Sequence, residues 1–473
     1  VNHTSDEHPW FEEARKSRHN PYYNYYHWWP AEKGEPPLRL SYFDEEGNAW
    51  MYNKSTDSYY LHYFSRKQPD LNWENPEVRQ EIFDMMRFWF DKGIDGFRMD
   101  SISLIAKDPS FPLIDSKKYP DIFSFYAKEP RLHLYLHEMN RQVLSKYDCM
   151  SVGEGSAVMV DDVAKFVDPA REELNMLYHF DAARIRNTTL PDNPESGIDY
   201  SLIALKKMFT EWDKAVDKGW PSIYLGNHDQ PRMVSRFGSD KDEFRALSAK
   251  MLITFLLTMR GTPYWFAGDE IGMRNIRFDR IEDYNDIDTI NRYKKAKAEG
   301  KDPQAVLDEQ KETGRDNART PFQWDRSPET GFTAGTPWLK VNPDYTWINV
   351  ADEEKDPTSI LNYFKKVVSF RKENPSLIYG SYHLLDAENP QSYTFLRKTG
   401  ADTYLIMLNF SPKAAISTPG IDMSNAHVLL DNYGDRSHMA PQKDITLRPF
   451  EAIVFQLNHP VYESFIDSLD LLE

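Results

Sequence analysis

"KGIDGFRMDS" (residues 92–101) is an apolar, glycine-spaced stretch that carries an arginine and an aspartate two positions apart. Alternate side chains of a strand share a face, so Arg98 and Asp100 point to one side while Phe97 and Met99 point to the other. A neighbouring arginine favours the ionised carboxylate that a nucleophile needs. A buried ion pair with a structural role explains the same pattern equally well.

The surrounding sequence alternates between helix and strand signals. Asn75 is placed to cap a helix that has Pro76 at its first position and Gly93 just past its end. Strand candidates follow helical segments at 94–100, 149–154, 175–181, 221–229 and 262–270. This alternation predicts an α/β protein with a parallel sheet, either doubly wound or closed into a barrel.

Three other segments depart from the alternation. Residues from about 4 to 75 are rich in Tyr, Trp and Pro, which suits an inserted lobe. Residues from about 275 to 335 are charged and form a second excursion. After about residue 385 strands and turns predict a small all-β domain, and the acidic tail "YESFIDSLDLLE" predicts a solvated helix.

Composition narrows the classes of partner and compartment. The net charge of −17 argues against a nucleic-acid partner, and no apolar run is long enough to predict a membrane span. Cys149 is the single cysteine, which excludes an internal disulfide and fits a cytoplasmic location. No paired His or Cys spacing predicts a metal site, so we expect catalysis without a cofactor.

Three acidic residues end strand candidates, namely Asp100, Glu154 and Asp229. Each alone could be a helix cap, but the carboxyl ends of parallel barrel strands meet at one mouth. Crowding of carboxyl groups raises the pKa of one of them and supplies a proton donor beside an ionised partner. Retaining glycoside hydrolysis needs this combination of acid and nucleophile.

Five motifs carry a family resemblance that covers essentially the whole chain: "DGFRMD", "SVGEG", "GNHDQPR", "QPDLNW" and "RDNARTPFQWD". The set resembles the α-amylase superfamily, in particular its oligo-1,6-glucosidase-like α-glucosidase branch. The resemblance implies that Asp100 is the nucleophile with Arg98 as its partner, and that Glu154 is the general acid/base. It also implies that Asp229, with His228 beside it, holds sugar hydroxyls and stabilises the transition state.

The same resemblance assigns the innermost sugar subsite. "VNHTS" is similar to the end of the third-strand motif, so His3 is expected to hydrogen-bond the terminal glucose. Phe64 and Gln68 are expected to line that subsite, and Arg319 to close it against longer chains. A blind pocket implies release of one terminal glucose at a time from isomaltose, maltose, sucrose or similar short α-glucosides.

The resemblance implies a (β/α)8 TIM barrel that lacks its first strands, with a lobe inserted after the third strand and a C-terminal antiparallel β domain. We predict residues 1–3 and 76–384 as barrel, 4–75 as inserted domain B, and 385–473 as β domain with the terminal tail. One βα unit takes about 31 residues, so roughly 60–70 residues are expected before residue 1. We therefore expect the chain to be a fragment of a longer gene product, and its activity alone stays open.

In the family that preceding segment often carries a calcium-binding loop, so structural calcium is expected only through it. The chain is expected to be a monomer. Ser101 stands where relatives that prefer α-1,6 bonds tend to have Val, and those acting on α-1,4 bonds or sucrose have Thr or Ala. Either Ser101 bears on linkage or it is simply small, so the linkage preference stays open.

Two alternatives to hydrolysis remain. "TPFQWD" is similar to sucrose isomerases, whose arginine-rich loop retains the released fructose. The corresponding "DAARIRNTTLPD" has Arg184 and Arg186 but not the full pattern, so isomerisation or transglucosylation ranks second. A non-catalytic relative, like the transporter heavy chains that share this fold, ranks third because all three acids are present.

Overall fold

The computed structural model describes residues 1–43, 47–115, 117–119, 122–400, 402–436 and 443–457. They form two compact units. The first unit comprises residues 1–180 and 215–221, and the second comprises residues 181–214 and the described residues from 222 onward. The terminal tail and its predicted helix lie outside the described residues.

The first unit contains a short antiparallel sheet and a parallel sheet. Its helices are Pro9–Ala14, Pro76–Asp91, Ile122–Tyr126, Arg131–Gln142 and Ala164–Val167. Its strands are Trp28–Pro30, Trp50–Asn53, Ser58–Leu61, Gly96–Met99, Met150–Glu154 and Met176–Tyr178. Ser58–Leu61 is the central strand of the antiparallel sheet, which lies within the range predicted as the inserted lobe. Met150–Glu154 is the central strand of the parallel sheet.

The helix that leads into the parallel sheet begins and ends at the predicted signals. The Asn75 side chain accepts a hydrogen bond from Glu77 N at 3.0 Å and caps the helix, while Gly93 adopts φ +90° after its end. Phe90 from the last turn meets Phe97 edge-to-face with ring centroids 5.0 Å apart. The helix therefore packs onto the strand that carries Arg98.

Gly96 lets two parallel strands approach closely. A Cβ atom at Gly96 would lie 2.0 Å from the carbonyl oxygen of Met150, far inside a van der Waals contact. The two strands pair in parallel, with Gly96 opposite Met150 at one end and Met99 opposite Gly153 at the other. The next residues along these strands are Asp100 and Glu154.

The second unit contains a parallel strand pair, helices and the C-terminal sheet. Its helices are Asp181–Thr188, Leu202–Ala215, Met233–Phe237, Arg245–Thr258, Ile287–Ala298, Pro303–Thr313, Val350–Glu353, Ile360–Glu373 and Ser376–Tyr379. Its strands are Ser222–Ile223, Thr262–Pro263, Ser381–Leu385, Ser392–Thr399, Asp402–Asn409, Ala415–Ser417, His427–Asp431, Ile445–Leu447 and Ala452–Leu457. Ser222–Ile223 pairs in parallel with Thr262–Pro263.

The predicted C-terminal antiparallel domain is confirmed. In its five-stranded sheet the order is His427–Asp431, Ala452–Leu457, Asp402–Asn409, Ser392–Thr399 and Ser381–Leu385. Leu396, Leu405 and Phe455 lie in its buried cluster, which supplies the apolar area that stabilises the sheet. Among the helices that the structure describes, none is long and apolar enough to cross a membrane.

Candidate active site

Two of the predicted acids lie at neighbouring strand ends in the first unit. Asp100 directly follows the strand Gly96–Met99, and Glu154 is the last residue of Met150–Glu154. The third parallel strand pairs Tyr178 with Glu154. Asp100, Glu154 and Tyr178 therefore lie next to one another at the carboxyl ends of three neighbouring strands.

Arg98 connects these residues. Its Nη1 atom donates to Oδ1 of Asp100 at 2.6 Å, and its Nη2 atom lies 3.1 Å from Oε1 of Glu154. The Asp100 side chain is 49% exposed, whereas that of Glu154 is 7% exposed. One guanidinium thus contacts an accessible carboxylate and a buried carboxyl group.

Tyr178 is a functional candidate that the sequence analysis missed. Nε of Arg98 donates to the Tyr178 hydroxyl at 2.8 Å, and Nη2 donates to the same oxygen. The Tyr178 hydroxyl therefore helps to hold the Arg98 guanidinium in the orientation in which its Nη1 atom contacts Asp100. Tyr178 lies in the middle of the strand candidate 175–181 and at the end of the observed strand Met176–Tyr178, so the predicted strand gave no signal for it.

The environment of Asp100 favours its ionised form. Burial opposes ionisation, but the hydrogen bond and positive charge of Arg98 outweigh burial, so the pKa of Asp100 falls below its ordinary value of 3.8. A carboxylate with such a pKa is deprotonated near neutral pH. This is the state in which a carboxylate acts as a nucleophile.

Ser101 links the strand of Asp100 to Glu154. It adopts a left-handed backbone with φ 45°, and its N–H donates to Oε2 of Glu154 at 2.7 Å. Its hydroxyl lies 3.5 Å from the same oxygen. A non-glycine residue in this region is strained, and such strain is found at functional sites. Ser101 therefore orients the Glu154 carboxyl through its main chain.

His3, Phe64 and Gln68 form a second group in the first unit. The Gln68 side-chain amide donates to Nε2 of His3 at 3.0 Å, and the rings of His3 and Phe64 lie 5.1 Å apart. Burial lowers the pKa of His3, and the charges of Asp70 and Asp100 oppose that shift. The imidazole is thus neutral near pH 7 and offers hydrogen-bonding nitrogen atoms rather than a charge.

The remaining predicted residues lie in the second unit. The strand predicted over 221–229 is wrong in length, because it covers only Ser222–Ile223. Asp229 lies in the loop that follows, where its N–H donates to Oδ1 of Asn227 at 2.8 Å. Nε2 of His228 lies 3.2 Å from Oδ2 of Asp229. The Asn227 side chain thus holds a turn within this loop.

Two arginines hold Asp229. Arg319 donates to Oδ1 of Asp229 at 2.9 Å and to the carbonyl oxygen of His228 at 2.8 Å. Arg315 reaches the same Oδ1 at 3.3 Å and also donates to Asp286. Arg315 and Asp286 were missed, although Arg315 begins the "RDNAR" motif. Asp286 is 3% exposed and forms ion pairs with both arginines.

The structure thus brings the predicted residues together in two groups. His3, Phe64, Gln68, Arg98, Asp100, Ser101 and Glu154 belong to the first unit, and His228, Asp229 and Arg319 belong to the second. The convergence of Asp229 with the other two acids stays a prediction. Arg184 and Arg186 lie on the helix Asp181–Thr188, and the Arg186 side chain lies outside the described part of the chain.

Within the described ranges no group of three or more His, Cys, Asp or Glu side chains is arranged to hold a metal ion. Calcium is bound by several oxygen ligands, which include main-chain and amide carbonyls as well as carboxylates, and catalysis without a cofactor stays a prediction.

Comparison with known proteins identifies the family. Residues 1–380 match the family model "Alpha amylase, catalytic domain". The oligo-1,6-glucosidase of Parageobacillus thermoglucosidasius is 48% identical over 97% of this chain and 82% of that protein. The oligo-1,6-glucosidase of Bacillus cereus is 44% identical over 97% of this chain and 82% of that protein.

Solved structures agree with the sequence matches. A trehalulose synthase variant in complex with Tris superposes with TM-score 0.90 and 38% identity, covering 97% of this chain and 82% of that chain. The isomaltulose synthase of Protaminobacter rubrum gives the same TM-score of 0.90, with 38% identity over 97% of this chain and 82% of that chain. The predicted TIM-barrel fold is confirmed by these matches, and the chain belongs to the α-amylase family of glycoside hydrolases.

Proposed function

We propose that the chain is a retaining α-glucosidase that releases terminal glucose from short α-linked oligosaccharides and disaccharides. The observation that carries the proposal is the contact of Arg98 with both Asp100 and Glu154, at 2.6 Å and 3.1 Å. Retaining enzymes place two carboxyl groups about 5–5.5 Å apart. Two groups that share one guanidinium are compatible with this spacing. The relatives named oligo-1,6-glucosidase support the same activity.

In the proposed mechanism Asp100 attacks the anomeric carbon of the terminal glucose. Glu154 gives its proton to the glycosidic oxygen as the bond to the leaving sugar breaks, which yields a covalent glucosyl-Asp100 intermediate. Glu154, now a carboxylate, takes a proton from water, and the resulting nucleophile displaces Asp100. The anomeric configuration is retained because it is inverted twice.

Arg98 and Ser101 hold the two acids in place during these steps. Arg98 keeps Asp100 ionised, as its effect on the pKa indicates. The Ser101 N–H holds one oxygen of Glu154 at 2.7 Å and Arg98 lies 3.1 Å from the other, so the carboxyl group is held at both oxygens. Both contacts act before the substrate arrives and require no rearrangement in the transition state.

Sugar recognition is assigned to two groups of residues. We propose that His3 and Gln68 hydrogen-bond hydroxyls of the terminal glucose and that Phe64 covers an apolar face of its ring. Asp229 and His228 are proposed to bind further hydroxyls, with Arg319 closing the subsite. The Asp229 carboxylate is held by arginines at 2.9 Å and 3.3 Å, which limits its freedom before substrate binds.

The remaining properties of the protein are proposed from composition and chemistry. Acid–base and nucleophilic catalysis by carboxyl groups requires no cofactor, so activity is expected to survive dialysis against EDTA. We also propose a cytoplasmic monomer, in line with the single Cys149. Light scattering behind size-exclusion chromatography tests the monomer, and fractionation of the source cells tests the compartment.

Hydrolysis of p-nitrophenyl α-glucoside by the purified chain tests the main proposal. We expect glucose release by the parent chain and loss of at least about a thousandfold in kcat for Asp100→Asn, because the nucleophile is removed. Proton NMR of the first product should show the α-anomer. Full activity of Asp100→Asn contradicts the nucleophile assignment, and a β-anomer contradicts retention.

A second candidate is sucrose isomerisation, because the solved structures of a trehalulose synthase and an isomaltulose synthase superpose on this chain with TM-score 0.90. An acceptor retained beside the glucosyl-enzyme gives transfer, whereas water gives hydrolysis. Chromatography of the products from sucrose separates the two. Trehalulose or isomaltulose as the main product would establish isomerisation, and glucose with fructose would establish hydrolysis.

A further inference from the structure

The two strands that carry the acids of the first unit are each followed by a bend in the main chain. After Asp100 the chain bends at Ser101, with φ 45°, and then forms the 3-10 helix Ile102–Leu104. After Glu154 it bends at Ala157, with φ 61°. A left-handed backbone is costly for a residue that has a Cβ atom. Contacts with other segments must therefore hold both bends.

Ser103 joins the first bend to the second. Its hydroxyl donates to the carbonyl oxygen of Ser156 at 2.7 Å, across 53 positions of sequence. This carbonyl belongs to the peptide group that leads into Ala157, so the hydrogen bond fixes the orientation of that peptide group at the bend. Ser103 is 0% exposed, and its hydroxyl is therefore shielded from competition by solvent.

The same segment reaches the carboxyl group of Glu154. The Ser101 N–H donates to Oε2 of Glu154 at 2.7 Å. Ser101 and Ser103 belong to one turn, because the Leu104 N–H donates to the carbonyl oxygen of Ser101 at 3.0 Å. A rotation of this turn that breaks the contact of Ser103 would also redirect the Ser101 N–H. The hydrogen bond to Ser156 thus acts on the Glu154 carboxyl through the main chain.

Apolar packing at Ile102 does not replace this hydrogen bond. Ile102 is buried, and a Cβ atom at Gly153 would lie 2.8 Å from its Cγ2 atom, so the side chain packs closely on the strand. Such packing is non-directional and keeps the turn close to the strand. The direction of an N–H group, on which its hydrogen bond depends, is set by polar contacts.

We propose that Ser103 is a positioning residue for the general acid. Its hydrogen bond to Ser156 holds the turn Ser101–Leu104 in the orientation in which the Ser101 N–H meets the Glu154 carboxyl. A general acid must lie within hydrogen-bond reach of the oxygen that it protonates, so a carboxyl held before the substrate binds transfers its proton more effectively. Ser103 acts only through Glu154. This inference rests on the proposed α-glucosidase function.

The test compares leaving groups that need a proton with one that does not. The sugar released from isomaltose or maltose departs as an alkoxide unless Glu154 protonates it, whereas α-glucosyl fluoride releases fluoride, a weak base. For Ser103→Ala we expect kcat/KM for the disaccharides to fall about tenfold and kcat/KM for the fluoride to change less than about twofold. A variant that is only less well folded would lose activity on both substrates equally.

Ser58→Ala is the matched control. Ser58 is also 0% exposed, and its hydroxyl donates to a main-chain carbonyl oxygen, that of Thr56, at 2.9 Å. It lies on the strand Ser58–Leu61 of the antiparallel sheet, so its loss should leave the ratio of the two kcat/KM values unchanged. Equal losses on disaccharides and fluoride for Ser103→Ala, or no loss on either, would overturn the inference.

Amide hydrogen exchange tests the Ser103–Ser156 hydrogen bond without relying on activity. In Ser103→Ala, peptides that cover residues 101–104 and 154–158 should exchange about five- to tenfold faster than in the parent chain. In Ser58→Ala their exchange should match the parent. Unchanged exchange in Ser103→Ala overturns the inference.

The failure of this inference is distinguishable from failure of the proposed function. A parent chain that cleaves neither the disaccharides nor the fluoride contradicts the glucosidase function. A parent chain that cleaves both, with the same ratio of kcat/KM values in Ser103→Ala, leaves the glucosidase function in place and overturns the role of Ser103.

Discussion

Arg98 donates to Asp100 at 2.6 Å from the same guanidinium that lies beside Glu154. This contact favours the ionised form of the residue proposed as nucleophile. Because Arg98 lowers the pKa of Asp100, the acidic limb of the pH–rate profile should report this contact.

Arg98→Gln should move the acidic limb of kcat/KM to higher pH, since loss of the cation leaves burial as the main influence and burial raises the pKa of Asp100. We also expect kcat to fall on the order of a hundredfold, because the two acids lose their shared contact. Arg98→Lys keeps the charge and should shift the limb less. An unmoved limb in Arg98→Gln would show that Asp100 does not control it.

Replacing Ser101 by Val tests its role in linkage choice. Val is the residue that the resemblance associates with α-1,6 preference, so the ratio of kcat/KM for isomaltose to that for maltose should rise. The main-chain contact with Glu154 at 2.7 Å survives the change, so hydrolysis itself should persist. The measurement is initial rates on both disaccharides, and Ser101→Ala is the control for loss of the hydroxyl. An unchanged ratio would leave Ser101 simply small.

Arg315→Met should destabilise the second unit. The Asp286 side chain is 2% exposed and, among the residues that the structure describes, would keep Arg319 at 3.7 Å as its cationic partner. Removal of one member of a buried charge pair costs about 3 kcal/mol in unfolding free energy. Urea denaturation measures it. Asp286→Asn combined with Arg315→Met should recover part of the loss, whereas a simple sum of the two single effects would contradict coupling.

Glu353 predicts a pH dependence of stability. It is buried, and burial raises its pKa to about 7 against the hydrogen bond from Leu361 and the charge of Arg245. Its folded-state pKa thus exceeds its unfolded value of 4.5. The stabilising contribution is complete below the unfolded pKa and is lost as pH rises through about 7.

The unfolding free energy of the parent chain relative to Glu353→Gln should therefore fall by about 2–3 kcal/mol between pH 5 and about 7.5. Urea denaturation at several pH values measures both proteins. Glutamine keeps an acceptor for Leu361 but does not titrate, so the difference isolates the carboxyl group. Parallel profiles for the two proteins would contradict the raised pKa.

Local sequence signals predicted the helix Pro76–Asp91 and the strands that carry two of the acids. The cap at Asn75, the stop at Gly93 and the alternation through Arg98 and Asp100 each act over a few residues. The family motifs predicted the barrel fold, and the structural matches confirm it. Glu154 also lies at the strand end that the pattern indicated.

Other parts of the site depend on contacts between distant segments, and the sequence does not contain them in readable form. Tyr178 meets Arg98 across 80 positions, and Arg315 meets Asp229 across 86. The left-handed backbone of Ser101 depends on its packing, since serine has no strong preference for φ 45°. The strand Ser222–Ile223 is shorter than the apolar pattern indicated, and Asp229 lies in the loop beyond it.

The hydrogen atom that serves as the side chain of Gly96 has a consequence for engineering. A Cβ atom at this position would lie 2.0 Å from the carbonyl oxygen of Met150, so any larger residue would push the two strands apart. The close approach of the two strands at Gly96 therefore sets the spacing of Asp100 and Glu154, which lie a few residues further along the same strands. Libraries that vary the surrounding loops to change substrate preference should therefore keep Gly96.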